Sequence, residues 1–210
     1  MNLHKLIAKY IKGKRVLDVG YAEHPNYFIT DVDLYGVDIQ EPKNCSGYLQ
    51  TKKANLNYEK LDWPDNFFET VILADTIEHF ENPSHVLREC NRVLNENGRI
   101  VISTPHANYV YDAIKNFLFS FFGINLDRDP GSHLSNWGIL DFIRLLRRAG
   151  FSNKKCFGGF IHLFFNINIP VHRFPYLGWQ VIYIADKVKK PGTWVYTKDE
   201  GNRCFYIDNP

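Results

Sequence analysis

A chain of 210 residues with 45% hydrophobic side chains can bury one α/β core, and its net charge of +2 is too small to recruit nucleic acid or a membrane surface by field alone. Four scattered cysteines (Cys45, Cys90, Cys156 and Cys204) form no C-x-x-C pair and no zinc spacing, so they read as reduced thiols of a cytoplasmic protein, with a structural disulfide as the alternative. The opening MNLHKLIAKYIKGKR lacks the apolar run of a signal peptide, and no stretch reaches the about 18 apolar residues of a membrane span.

Leu3, Leu6, Ile7, Tyr10 and Ile11 recur at helical spacing, which predicts a short amphipathic helix stopped by Gly13. Arg15–Val19 follows as a first strand, Pro25 to Thr30 as a short and poorly formed helix, and Tyr35–Ile39 as a second strand. Gly47–Thr51 is a plausible third strand; Asn55 to Asn66 is a polar loop carrying the turn signal Trp63-Pro64-Asp65-Asn66. Thr70–Ala74 is a continuous apolar run, the mark of a strand buried on both faces of a parallel sheet. Asn82 suits a helix cap and Pro83 the first helical position; Val86, Leu87, Cys90, Val93 and Leu94 form the stripe of that helix. Asn97-Gly98 ends it, and Arg99–Ser103 is the next strand. Strands alternating with helices predict an α/β fold built on a doubly wound, mostly parallel sheet.

Beyond Pro105 the pattern changes. Asn108 to Gly123 is rich in aromatic residues, and the polar turn Asp127–Gly131 follows. This segment reads as a helical, aromatic insertion, more a cover or core element than a membrane anchor, although peripheral contact with a membrane interface stays open. Ser135 is expected to cap a helix with Leu140, Phe142, Ile143, Leu145 and Leu146 on its apolar face, ending at Gly150. Phe151–Phe157 and Trp179–Ala185 read as the last two strands, joined by the long stretch Gly158–Gly178. The tail 191–210 holds Trp194, Tyr196, Phe205 and Tyr206, too aromatic for simple disorder; it is expected to pack on the domain formed by 1–190 or on a partner subunit, so a homodimer is plausible.

Two acids carry the functional signal. KRVLDVG ends in Asp18 and Gly20, and LYGVDIQ ends in Asp38, about 20 residues after Asp18, the length of one strand–helix–strand unit. A carboxylate at the tip of the second strand faces the crevice outside the strand ends and can accept hydrogen bonds from both hydroxyls of a ribose. The pattern therefore points to a nucleoside-containing cofactor at the top of the first strand.

VLDVG, then YGVDI, then DNFFETVILADTIEHFENPSHVLRECNRVLNENGRIVISTP resembles the seven-stranded S-adenosylmethionine-dependent methyltransferases, over roughly residues 14–186. The resemblance implies a seven-stranded sheet whose last strand is antiparallel, S-adenosyl-L-methionine as cofactor, S-adenosyl-L-homocysteine as product, and a methyl acceptor under the cover segment 106–135. DVGYAEHPN, STPHANY and SHLSNWGILDFIRLLRRAGF are similar to methyltransferases associated with glycan and lipid-linked sugar assembly. The acceptor is then a small molecule, a sugar or a lipid-linked compound, and O-methylation is the expected reaction.

Within that resemblance the site residues follow one by one. Gly20 lets the backbone approach the methionine portion of the cofactor, and Asp18 orients the loop and meets the cofactor's amino group. Tyr21 and Ala22 continue the loop. Asp38 takes the ribose hydroxyls, Ile39 packs on the adenine, and Asn55 and Leu56 match the loop that reads the adenine edge. Asp75, with Thr76 beside it, stands at the methionine end. If the acceptor is a hydroxyl, a base must remove its proton, and histidine suits neutral pH. His133 is the first candidate and His106 the second, and for each a structural role is an equal alternative.

One departure matters. The family's loop is D-x-G-x-G-x-G, whereas Ala22 and His24 stand here at the second and third glycines. A histidine needs space that glycine would leave to a ligand, so a catalytically inactive member acting as an interaction module is the alternative reading. Asp18, Asp38 and Asp75 also have a plainer role as carboxylates capping helices. Glu78, His79 and His85 lack metal-ligand spacing, and His79 reads as a packed residue bracing the strand–helix turn. A nicotinamide-dependent oxidoreductase is disfavoured by the missing G-x-G-x-x-G.

Overall fold

Val16 and Leu17, neighbours on the first strand, are both fully buried yet belong to different apolar cores. Successive side chains of a strand point to opposite faces, so a strand covered on both sides must be apolar throughout. The same alternation repeats in Val71, Ile72 and Leu73, in Ile100, Val101 and Ile102, and in Val181, Ile182 and Tyr183.

These relationships come from a computed structural model that describes residues 3–42, 44–107, 121, 134–163, 167–171, 173–188, 193–197 and 203–207. Helix α1 (Leu3–Ala8) precedes β1 (Arg15–Val19), β2 (Asp33–Asp38), β3 (Gln50–Lys53) and β4 (Phe68–Ala74). A 3₁₀ turn (Ile77–His79), α2 (Pro83–Val93), β5 (Leu94–Pro105), α3 (Ile139–Arg148) and β6 (Phe151–Gly158) follow. The chain then forms β7 (Phe160–Leu163), β8 (Ile167–Pro170), a second 3₁₀ turn (Pro175–Leu177), β9 (Gln180–Lys187), β10 (Thr193–Thr197) and β11 (Arg203–Ile207).

Seven strands form one sheet in the order β3-β2-β1-β4-β5-β9-β6. The first five are mutually parallel, and β9, the last strand of the sheet in chain order, runs antiparallel to both β5 and β6. The predicted seven-stranded α/β architecture is therefore the observed one. Helices α2 and α3 pack on one face, through Val86, Leu87, Cys90, Phe142 and Leu146, and α1 covers the other through Leu6 and Ile7. Two hairpins, β7–β8 and β10–β11, stand as separate two-stranded sheets. No helix among the described residues is long and apolar enough to cross a membrane.

Several local expectations are corrected. Pro25 to Thr30 is not helical: the side chain of Asn26 accepts from the backbone N–H of Phe28 at 3.1 Å, an Asx turn that competes with helix formation. Helix α2 ends at Val93 rather than at Asn97-Gly98, because Leu94 turns extended and pairs with Phe68. The register then shifts, so Asn95 to Gly98 form an excursion before Arg99 pairs with Thr70. Ser135 does not cap α3, whose N-cap is Gly138 with no side-chain bond; the Ser135 backbone N–H donates to the Glu78 carbonyl instead. Leu140 lies on the exposed side of α3, at 58% exposure, and not on its apolar face.

Candidate functional site

All five parallel strands end on one edge of the sheet, and at β1 the order reverses, with β2 on one side and β4 on the other. Loops leaving such a pair of strands diverge and open a crevice, the usual ligand position in this class of sheet. A cavity of about 580 Å³ lies there, within the range of small-molecule and cofactor sites. Taken in sheet order, Ala54, Asn55 and Leu56 follow β3, Asp38 ends β2, Gly20 follows β1, and Asp75 and Thr76 follow β4, and all of them line the cavity.

Asp38 is fixed by two backbone groups. Its Oδ2 accepts from the N–H of Ala22 at 3.0 Å and its Oδ1 from the N–H of Gln40 at 2.8 Å. Each carboxylate oxygen has a second lone pair, so the anchored group can still accept two hydroxyl donors. Ile39 next to it is 54% exposed on the cavity wall, an apolar surface that a flat ring would cover. Beyond β3, the Asn55 side chain accepts from the N–H of Asn57 at 3.1 Å, while Leu56 is buried between the cavity and the core.

Gly20 has φ of 77°, and a Cβ there would stand 2.3 Å from Cγ2 of Thr76. Its missing side chain thus makes room for Thr76, whose hydroxyl donates to the Ala74 carbonyl at 2.9 Å. Asp75 has φ of 50°, a left-handed conformation that costs a non-glycine residue on the order of 1–2 kcal/mol. The end of β5 and the start of β9 hold it there. Its N–H donates to the Ser103 carbonyl at 3.0 Å, the Ser103 hydroxyl donates to Oδ1 at 2.8 Å, and the Gln180 side-chain amide donates to Oδ2.

Three predicted cofactor residues stand behind the wall rather than on it. Asp18 is buried and its Oδ2 accepts from the Tyr48 hydroxyl at 2.7 Å. Burial pushes its pKa up to about 7, against the Tyr48 hydrogen bond, which favours the charged form. Tyr21 is buried with its ring 4.4 Å from that of Tyr48, over Gly36, where a Cβ would come within 2.6 Å of the Tyr21 ring. Ala22 contributes its backbone N–H to Asp38. These residues shape the loop; Gly20, Asp38, Ile39, Asn55, Leu56, Asp75 and Thr76 line the cavity.

The two candidate bases fare differently. His133 and most of the cover segment 106–135 lie outside the described residues. His106 is 3% exposed and does not line the cavity; its ring edge meets Tyr176 with centroids 5.9 Å apart, and burial holds its pKa down. Its backbone N–H donates to the Trp179 carbonyl, extending β5.

Several lining residues stand outside the predicted cofactor set. His4 reaches the cavity from α1, Glu23 and His24 from the loop after β1, and His79 and Phe80 from the turn after β4. His79 is exposed there rather than packed. His24, the departure from the glycine pattern, stands on the wall and leaves the cavity open. Glu78 is buried behind the wall, with the Thr104 hydroxyl 3.2 Å from its Oε2, and burial pushes its pKa up to about 8. No spacing in the sequence announces His4 or Phe80 as wall residues, whereas Glu23 and His24 lie in the loop after β1 that the glycine pattern already marks.

Residues 1–155 match the family model described as a methyltransferase domain. A Coxiella burnetii protein named ubiquinone biosynthesis O-methyltransferase is 26% identical over 127 residues, which cover 54% of this chain and 50% of that protein. The chain thus spans about half the length of the curated relatives it matches. Among solved structures, a SAM-dependent methyltransferase of Thermotoga maritima superposes with a TM-score of 0.66 at 17% identity, covering 89% of this chain and 87% of that one. A SAM-dependent methyltransferase of Archaeoglobus fulgidus superposes with a TM-score of 0.63 at 20% identity, covering 88% of this chain and 94% of that one.

Proposed function

The chain belongs to the methyltransferase-domain family, and we propose that it is an S-adenosylmethionine-dependent methyltransferase acting on the hydroxyl of a small-molecule acceptor. The observation that carries the reading is Asp38, held by Ala22 and Gln40 on the wall of the cavity with exposed Ile39 beside it. That pair fits an adenosine: an acceptor for both ribose hydroxyls and an apolar face for the base.

The residues present fit the cofactor along the whole cavity. Asp38 would hold the ribose, Ile39 and Leu56 would flank the adenine, Asn55 would meet its edge, and Asp75 would take the ammonium of the methionine tail. Bound there, the cofactor supplies a methyl group on a sulfonium that leaves as a neutral thioether. The protein's part is then alignment, exclusion of water and removal of the acceptor's hydroxyl proton, a role for which His133 is our candidate base, and effective molarities on the order of 10⁵ M are available from orientation alone. The anchored Asp38 and the strained but tightly held Asp75 are suited to that task, since neither has to reorganise when the ligand arrives.

Similarity to ubiquinone biosynthesis O-methyltransferases over half their length supports a hydroxyl acceptor. The glycan and lipid-linked sugar resemblance of the loop motifs adds sugar hydroxyls to the substrate classes to be tried. The experiment is a thermal shift with S-adenosylmethionine and S-adenosylhomocysteine, followed by transfer of labelled methyl to a panel of catechols and sugars. A ligand that binds only the native state raises the melting temperature. No shift with either compound in folded protein would end the reading, and binding without transfer to any acceptor class would favour an interaction module.

A further inference from the structure

We infer that the outer edge of the sheet, at β6, is a surface that docks on an anionic lipid bilayer. The inference goes beyond the cofactor reading and does not depend on it. The net charge of +2 is unevenly spread along the chain. Residues 139–190 hold nine lysines and arginines against two acids, Asp141 and Asp186, so the rest of the chain is net acidic. Such an asymmetry concentrates attraction for anions on one part of the surface, which an overall charge near zero conceals.

The fold gathers that segment at one edge. In the order β3-β2-β1-β4-β5-β9-β6, strand β6 is outermost and, among the described residues, pairs on one side only, with β9. Helix α3 and the 3₁₀ turn Pro175–Leu177 both lie against it. Arg147 and Arg148 of α3, Lys154 of β6 and Arg173 ahead of the turn are exposed. On α3 the two arginines share an exposed stripe with Leu140 and Arg144, at helical spacing. The two acids of the segment are engaged, Asp141 with Arg144 at 2.7 Å and Asp186 with Arg99 at 2.9 Å.

The apolar part of the surface is the turn itself. Phe174, Tyr176 and Leu177 are 62, 50 and 40% exposed, three large apolar side chains within four residues. Their backbone is fixed from below. The Phe174 N–H donates to the Val171 carbonyl at 2.9 Å and the Leu177 N–H to the Phe174 carbonyl at 3.0 Å. Gly158, which ends β6, lies so close that a Cβ there would stand 3.2 Å from Cα of Pro175. A rigid turn that presents rings and leucine beside arginine matches the boundary between headgroups and acyl chains: the apolar groups enter it and the cations meet phosphate. A second copy is a poorer occupant, because Lys154 and Lys155 on the edge strand oppose edge-to-edge pairing. A nucleic acid would engage the arginines and leave Phe174, Leu177 and Leu140 in water. Tyr176 also meets the ring of His106, which follows β5, so docking here sets the bilayer at the end of the sheet that carries the cavity.

The test is flotation of the full chain, without cofactor, on phosphatidylglycerol–phosphatidylcholine vesicles and on vesicles of phosphatidylcholine alone. Binding to the anionic vesicles is expected, and it should fall at least about tenfold for Phe174→Ser with Leu177→Ser, and again for Arg147→Glu with Lys154→Glu. All four side chains are exposed, so thermal unfolding of both variants should match wild type. No binding by wild type, equal binding to phosphatidylcholine alone, or binding that either pair of substitutions leaves intact would overturn the inference. Binding to duplex DNA or RNA with vesicles left unbound would make this a nucleic-acid surface and overturn it. A dimer in light scattering that the charge substitutions dissolve, again with vesicles left unbound, would make the edge a contact between copies and overturn it too.

Discussion

Gly20 and Thr76 compete for one space: a Cβ on Gly20 would stand 2.3 Å from Cγ2 of Thr76 and 2.6 Å from its hydroxyl oxygen. The contact joins the tip of β1 to the tip of β4, the two strands that bound the crevice at the switch in sheet order. Two loops of the site are therefore set by one steric fit.

Gly20→Ala combines that clash with φ of 77° and is expected to cost about 2–4 kcal/mol. Denaturant unfolding measures it. In a Thr76→Ala background the same change should cost less, since Cγ2 and the hydroxyl are gone, and a double-mutant cycle reads the difference. Strict additivity would mean that the strain lies in the backbone alone.

Asp38→Ala is expected to weaken S-adenosylhomocysteine at least about tenfold, or about 1.4 kcal/mol, because it removes the acceptor and also frees the N–H groups of Ala22 and Gln40. Calorimetry on folded mutant protein is the measurement. An unchanged dissociation constant would take Asp38 out of the binding site.

Gly36→Ala tests the buttress. The added methyl would meet the Tyr21 ring at 2.6 Å, in the layer where Tyr21 packs on Tyr48. Overpacking of this kind costs about 1–3 kcal/mol and should push the adjoining Ala22 away from Asp38. Both stability and S-adenosylhomocysteine affinity should fall. A loss of stability with full affinity would show that the loop adjusts independently of its support.

Two buried carboxyls give the protein a pH signature. Asp18 is raised from 3.8 to about 7 by burial, and Glu78 from 4.5 to about 8 by burial. The folded state therefore binds these protons more tightly than the unfolded one, and stability falls with rising pH. The contribution of Asp18 is full below its unfolded value and gone above about pH 7; that of Glu78 is gone above about pH 8. Asp18→Asn should flatten unfolding free energy against pH between about 4 and 7, and Glu78→Gln between about 4.5 and 8. Profiles identical to wild type would mean that neither group is protonated in the fold.

The strands were legible because burial on both faces leaves an unmistakable trace. Thr70–Ala74 carries the continuous apolar run of a strand covered on both faces, and Asn82 with Pro83 marked a helix start that the structure keeps, the Asn82 side chain accepting from the His85 N–H at 3.1 Å. Boundaries that depend on pairing were not legible. Leu94 carries a helical stripe as well as a strand position, and it became a strand because Phe68 stood opposite. Ser135 had the chemistry of a cap, yet its backbone was taken by Glu78, more than fifty residues earlier in the chain.

For the site, the sequence by itself determined the two strand-tip positions Gly20 and Asp38, since a turn glycine and a terminal acid at strand–helix–strand spacing are local properties. It also determined Asp75, which ends an apolar run. Only the tertiary structure decided that Asp18 faces Tyr48, that Tyr21 lies under the loop, that His106 is packed away from the cavity, and that His4 reaches it. The reason is physical. Which way a side chain turns at a strand end is fixed by what packs against it, and those neighbours come from strands and helices whose order in the sheet is not their order in the chain.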